Sequence, residues 1–203
     1  MPLDLIVIGA SLGGLTAIRR LVSSLPGDFP IPIAMVQHRG VYQDDSLRGV
    51  LQVSTSLCVV EVEDKLPIEA GHLYVAPQDY HLLVDAGCFS LSIEDKVQRA
   101  RPSIDVLFES AAFSYGQRLA GVVLTGASRD GAGGTRAILA HGGKVFAEDP
   151  QIAEAGLMPQ AAIEAGAEPV AAIEEIAKRL VTMAEEPAPR RRHSEDWTQR
   201  ERG

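Results

Sequence analysis

The run from Leu3 to Ile8 is apolar, rich in β-branched residues and closed by Gly9. It predicts a strand buried on both faces, and hence a parallel sheet covered by helices. After Gly13-Gly14, the residues Leu15, Ile18, Leu21 and Val22 recur at helical spacing until Pro26 stops them, so a strand, a tight turn and a helix open the fold. The same succession returns as a strand at Ile31 to Gln37 and a short amphipathic helix at Leu47 to Val53, its start supplied by Asp44 and Asp45. From Cys58 to Ile93 the texture changes to short alternating runs (CVVEVE, HLYVAP, YHLLV, CFSLSI) separated by turn signals at Glu69-Ala70-Gly71, Pro77-Gln78-Asp79 and Asp85-Ala86-Gly87. Those runs predict antiparallel strands. Pro102 suits the first turn of a helix carrying Val106, Leu107, Ala111 and Phe113, and Gly121 to Thr125 reads as another buried strand. A helix at Gly131 to His141, a strand at Lys144 to Ala147, a helix at Pro159 to Ala165 and an amphipathic helix at Ile173 to Met183 follow. The expected class is α/β: a doubly wound, mostly parallel sheet with helices on both faces and an antiparallel β excursion around 58–94.

A length of 203 residues suits one core, so one domain is expected over 1–184. The segment 185–203, EEPAPRRRHSEDWTQRERG, has almost no apolar residues and is expected to be disordered; its basic run Arg190 to His193 is assigned no function. A formal charge of −8 argues against nucleic acid or an anionic membrane as partner, since both reward clustered Lys and Arg. Cys58 and Cys88 sit in strand-like runs without metal or redox spacing, and His38, His72, His81, His141 and His193 lack zinc spacing. No metal or other cofactor is therefore expected, and His72 and His81 are read as bracing turns. The N-terminus has no basic segment or cleavage site, and no apolar run reaches the roughly eighteen residues of a membrane helix, which points to the cytoplasm and to no direct membrane insertion.

Three strand ends carry candidate chemistry. Ser11 lies in Gly9-Ala10-Ser11-Leu12-Gly13-Gly14, where a buried strand hands over to a helix and open α/β sheets place their sites. Small neighbours allow a sharp turn that projects the hydroxyl, while amides at the helix start face developing negative charge. The segment also fits G-x-S-x-G, although that elbow follows a later strand in ordinary α/β hydrolases. A dinucleotide fingerprint fails, because Ser11 occupies its second glycine position. A turn of small residues without chemistry remains open from this motif alone. His38 closes the second strand, and in a parallel sheet it emerges at the same edge as Ser11; a polar strand end facing water is the plainer reading. Asp130 follows the strand GVVLT in Thr125-Gly126-Ala127-Ser128-Arg129-Asp130-Gly131, where capping of the next helix is the plainer role.

From Leu5 to about Leu180 the chain resembles the catalytic domain of the chemotaxis protein-glutamate methylesterase family. The resemblance rests on GASLGG, Gln37-His38, GHLYVAP followed by Asp79 and His81, RPSIDVLF, LTGASRDGAGG and GLMPQAAI, in the family's order and near its spacings. It implies Ser11 as nucleophile, His38 as base and Asp130 as the residue that orients the base. It also implies demethylation of glutamate methyl esters on methyl-accepting chemotaxis receptors through an acyl enzyme, with glutamine deamidation as a second reaction. Arg99 and Arg101 flank RPSIDVLF and can recognise acidic neighbours on a receptor through bidentate hydrogen bonds, or serve as solvated charges. Leu12 stands where the family usually has Thr, Ala127 where Met is usual near the oxyanion site, and RGVYQDD replaces a Pro-rich continuation after His38. A broad carboxylesterase of the same mechanism, and a non-catalytic receptor-docking module of the same fold, are the competing readings. Typical family members carry an N-terminal receiver domain. With the first strand beginning at Leu3, the chain is expected to act without one, any regulation coming from a separate response regulator.

Overall fold

The computed structural model describes residues 3–38 and 47–185. Seven strands form one parallel sheet in the order β3-β4-β2-β1-β7-β8-β9: β1 (Leu5–Ala10), β2 (Ile33–Gln37), β3 (Cys58–Glu61), β4 (His72–Val75), β7 (Leu119–Val123), β8 (Lys144–Glu148) and β9 (Glu168–Val170). Every residue of β1 is buried, as expected for a central strand with both faces covered. Its side chains alternate between two cores. Ile6, Ile8 and Ala10 join the apolar cluster that includes α1 (Gly14–Ser23), α2 (Leu47–Gln52) and α6 (Ile173–Glu185). Leu5 and Val7 join the cluster beneath α3 (Ile104–Tyr115), α4 (Ala132–Ala140) and α5 (Leu157–Glu164). The helical stripes match these faces: Ile18, Leu21 and Val22 of α1 and Ile176, Ala177 and Leu180 of α6 are buried, as a 3.6-residue period requires.

The antiparallel part is narrower than the alternation suggested. Among the named strands of the described residues, β5 (His81–Asp85) and β6 (Cys88–Ser92) are the pair that runs antiparallel, as a separate two-stranded sheet. CVVE and HLYV instead form β3 and β4, paired parallel with Val59 opposite Leu73. Strand β3 alternates because it is the sheet edge, half exposed, and alternation reports exposure rather than strand direction. Its return segment crosses the β5–β6 hairpin, with Ile68 N–H donating to Gly87 O and Phe89 N–H to Leu66 O.

Strand β9, Glu-Pro-Val, was not anticipated; three residues at an edge carry too little pattern, and proline is tolerated there. Phe113, expected on the apolar face of α3, is 84% exposed, because the inward stripe runs through Leu107, Phe108, Ala111 and Ala112. Helix α6 reaches Glu185, one residue past the expected domain end. The expected helix start at Asp44-Asp45, the RGVYQDD rim and the rest of the tail lie outside the described residues. No described helix is long and apolar enough to cross a membrane.

Candidate active site

The chain order reverses at β1. One series of connections runs outward through β2, the other begins at β7, so loops at the carboxyl ends of β1, β2 and β7 converge at this switch point. Ser11, His38 and Asp130 come from these three loops. The last ladder bond, His38 N–H to Ala10 O at 3.0 Å, ties His38 to the residue before Ser11, and Ser11 N–H donates to Thr125 O at 2.9 Å. The third loop approaches very closely. A Cβ on Gly126 would stand 2.9 Å from the Ser11 Cβ and 2.7 Å from the end of Met158, so only hydrogen fits there. Thr125 Oγ1 donates to Leu12 O at 2.9 Å and accepts Ala155 N–H at 2.8 Å, binding the Ser11 turn to the loop before α5. Leu12 turns its side chain outward, 56% exposed at the rim.

His38 Nε2 lies 2.8 Å from Asp130 Oδ2, with the histidine side chain 16% exposed and the aspartate fully buried. Asp130 also accepts Ser103 Oγ–H at 2.9 Å, Ile104 N–H at 2.8 Å and Asp105 N–H at 2.9 Å. Burial alone would push this carboxyl up, but the hydrogen bond to His38 and the amides of Asp105 and Ile104 prevail and hold it below its ordinary range. Asp130 is thus a helix cap, though not of the helix that follows it. It caps α3, while Asp105 Oδ1 accepts Gly131 N–H at 2.9 Å and Gly134 N–H at 2.8 Å at the start of α4. Each aspartate caps the other's helix, so two positive helix ends face the pair. With Nε2 donating its proton to Asp130, the His38 Nδ1 lone pair is free to act as a base.

Ser11 is half-buried and its Oγ makes no hydrogen bond within the described residues. The amides of Leu12 and Gly13 beside it, and of Ala127 and Ser128 across from it, have no acceptor among the described residues. Such free N–H groups are what an oxyanion requires. A cavity of about 600 Å³ opens beside His38, lined among others by Ser128, Lys96, Gln98 and Arg99. Arg101 also lines it, but its guanidinium is consumed by Asp79 Oδ1 at 2.8 Å and by the carbonyls of Ile93 and Glu94 at 2.7 and 3.0 Å. Arg99 has no such partner among the described residues and is held, with Gln98, at positive φ in the turn between Val97 and Ala100.

His72 Nδ1 meets Ala70 O at 2.9 Å, a turn brace as expected. His81 braces the entry to α3 by accepting Ser103 N–H at 3.2 Å, its Nε2 lying 3.0 Å from Asp95 O. Gln37, Ser103, Asp105 and Thr125 carry site roles that residue-by-residue reading did not assign. A Ser ahead of the apolar run of α3 was the usable signal for Ser103, an N-cap pattern.

The model of the CheB methylesterase family matches residues 6–180. A protein of Leptospira interrogans, provisionally named a protein-glutamate methylesterase/protein-glutamine glutaminase, is 45% identical over 165 residues, covering 81% of this chain and 86% of that protein. Protein-glutamate methylesterase/protein-glutamine glutaminase 2 of Anaeromyxobacter dehalogenans is 42% identical over 161 residues; 79% of this chain is covered, but only 47% of that relative's length. The crystal structure of the Thermotoga maritima CheB methylesterase catalytic domain superposes with a TM-score of 0.84 at 34% identity, covering 90% of this chain and all of that one. Sequence and fold agree, and the chain belongs to the CheB methylesterase family.

Proposed function

We propose that residues 1–184 form a cytoplasmic serine esterase domain that hydrolyses glutamyl methyl esters on methyl-accepting receptors, with Ser11 as nucleophile, His38 as base and Asp130 as its orienting carboxylate. The observation that carries this reading is the buried Asp130 carboxylate, held ionised by four donors and directed at His38 Nε2. An aspartate so placed fixes the tautomer that leaves Nδ1 as base and stabilises the imidazolium that forms. Ser11 Oγ–H gives its proton to His38 as Oγ bonds the side-chain carbonyl carbon. The oxyanion is taken by the free amides at Leu12 and Gly13 or at Ala127 and Ser128. The imidazolium then protonates the departing methoxide, leaving a glutamyl ester on Ser11. Water, deprotonated by the same histidine, releases the carboxylate and restores the serine. An amide in place of the ester gives the same acyl enzyme with loss of ammonia, which supports glutamine deamidation as the parallel reaction. Arg99, unlike Arg101, is free to bind a carboxylate flanking the scissile ester in the cavity beside His38.

The test is methanol release from membranes bearing methylated receptors. Release above a no-enzyme control is expected. Hydrolysis of p-nitrophenyl acetate without methanol release would identify a broad carboxylesterase instead, and neither activity would leave a docking module.

A further inference from the structure

Gln37 ends β2 between the two catalytic loops, is 9% exposed, and spends its amide on backbone rather than on substrate. Its Nε2 donates to Ser11 O at 2.7 Å and to His38 O at 2.9 Å. The ladder between β1 and β2 closes at Ala10 opposite Gln37, with one further bond from His38 N–H to Ala10 O. Among the described residues no backbone bond beyond that point joins the two loops, and the NH2 group of Gln37 bridges them instead. Its orientation is forced, since a reversed amide would set Oε1 against two carbonyl oxygens.

Gln37 Oε1 is buried without a partner among the described residues. It lies against Gly14, where a Cβ would stand 2.1 Å from it, so a hydrogen at that position is what makes room. An unpaired buried acceptor destabilises a fold. An apolar side chain of equal length would remove that unpaired acceptor but would also take the Nε2 donor from His38 O. What the amide supplies is the pair of N–H bonds that set the spacing of Ser11 and His38.

We infer that Gln37 is a positioning residue for the reaction, clamping the nucleophile and base loops at a fixed separation and so raising turnover. The inference rests on the reading of Ser11 and His38 as nucleophile and base. A fluorophosphonate probe, which reports serine activation whatever the natural ester, separates the two. If Ser11→Ala labels as fast as wild type, the reading of the site itself fails.

If wild type labels at Ser11, Gln37→Met decides the role of the clamp. Misplacing reacting groups by about 1 Å lowers rates on the order of 10²-fold. We therefore expect labelling and kcat to fall roughly 10- to 100-fold with KM little changed, a loss that persists well below the melting temperature of the variant. Labelling at the wild-type rate, or a rate loss that only tracks the unfolded fraction, overturns the inference. Should Gln37→Met not fold, Gln37→Glu keeps the shape and donates one hydrogen bond when protonated and none when ionised. It is expected to label more slowly than wild type, increasingly so as pH rises, and labelling at the wild-type rate throughout overturns the inference.

Discussion

Replacing Asp130 by Asn separates its capping role from its chemical role. Oδ1 accepts Ser103 Oγ–H and Asp105 N–H, whereas Oδ2 accepts Ile104 N–H and faces His38 Nε2. An asparagine must turn its NH2 toward one of these pairs. On the Oδ1 side Ser103 can rotate to accept, but the Asp105 amide is orphaned. On the Oδ2 side His38 can present a lone pair by moving its proton to Nδ1, but the Ile104 amide is orphaned and the base is spent. Either choice strands one buried N–H, costing about 1–3 kcal/mol, and removes charge assistance from the remaining bonds, for a total of about 2–4 kcal/mol. For a domain of this size that lowers the melting temperature by about 5–15 °C.

Turnover should fall further than stability accounts for, on the order of 10³-fold or more, because the wrong tautomer is favoured and the imidazolium loses its counter-charge. Thermal unfolding of each protein, and ester hydrolysis at a temperature below both transitions, give the two numbers. A less stable variant with unchanged kcat would make Asp130 a helix cap and nothing more. The pH dependence has a defined sign. A carboxyl held below its ordinary value of 3.8 stabilises the fold above that pH, and the contribution is lost as pH falls through the lower folded value. Wild type should therefore lose stability on the acid side more steeply than Asp130→Asn.

Ser11→Ala should abolish ester hydrolysis yet shift stability by less than about 0.5 kcal/mol, since Oγ makes no hydrogen bond within the described residues; a large loss of stability would mean the hydroxyl is structural. Ala127→Met tests the exposed loop residue beside the free amides: altered kcat/KM on receptor esters is expected if a side chain there shapes the pocket, and unchanged kinetics would assign the position to its backbone N–H. Arg99→Ala should raise KM for peptide esters flanked by Asp or Glu while leaving neutral esters unaffected; equal effects on both would remove Arg99 from recognition.

The parallel sheet and its loop sites were legible because buried strands and amphipathic helices write different periods into the sequence. Ser11, His38 and Asp130 were readable as three strand ends, and the structure places them at one switch point. What could not be read was direction and reciprocity. CVVE and HLYV alternate whether paired parallel or antiparallel, so β3 and β4 were assigned to the wrong sheet. Asp130 looked like a cap for α4 because capping is normally local, whereas the exchange with Asp105 spans 25 residues and exists only once α3 and α4 are packed side by side. Gln37 stood beside His38 in the sequence, but its bond to the carbonyl of Ser11, 26 residues away, depends on strand register. Arg99 and Arg101 were indistinguishable as letters; Asp79 and two carbonyls take up one of them.

The most direct test of the account is to catch the acyl enzyme. A peptide carrying a glutamyl γ-methyl ester is mixed with the protein, the reaction is quenched in acid within one turnover, and the digest is mapped by mass spectrometry. The expected product is the peptide joined through its glutamyl carbonyl to Ser11, with methanol released in equal amount and no adduct in Ser11→Ala. Methanol release by Ser11→Ala at the wild-type rate, or an adduct on any other residue, would contradict it.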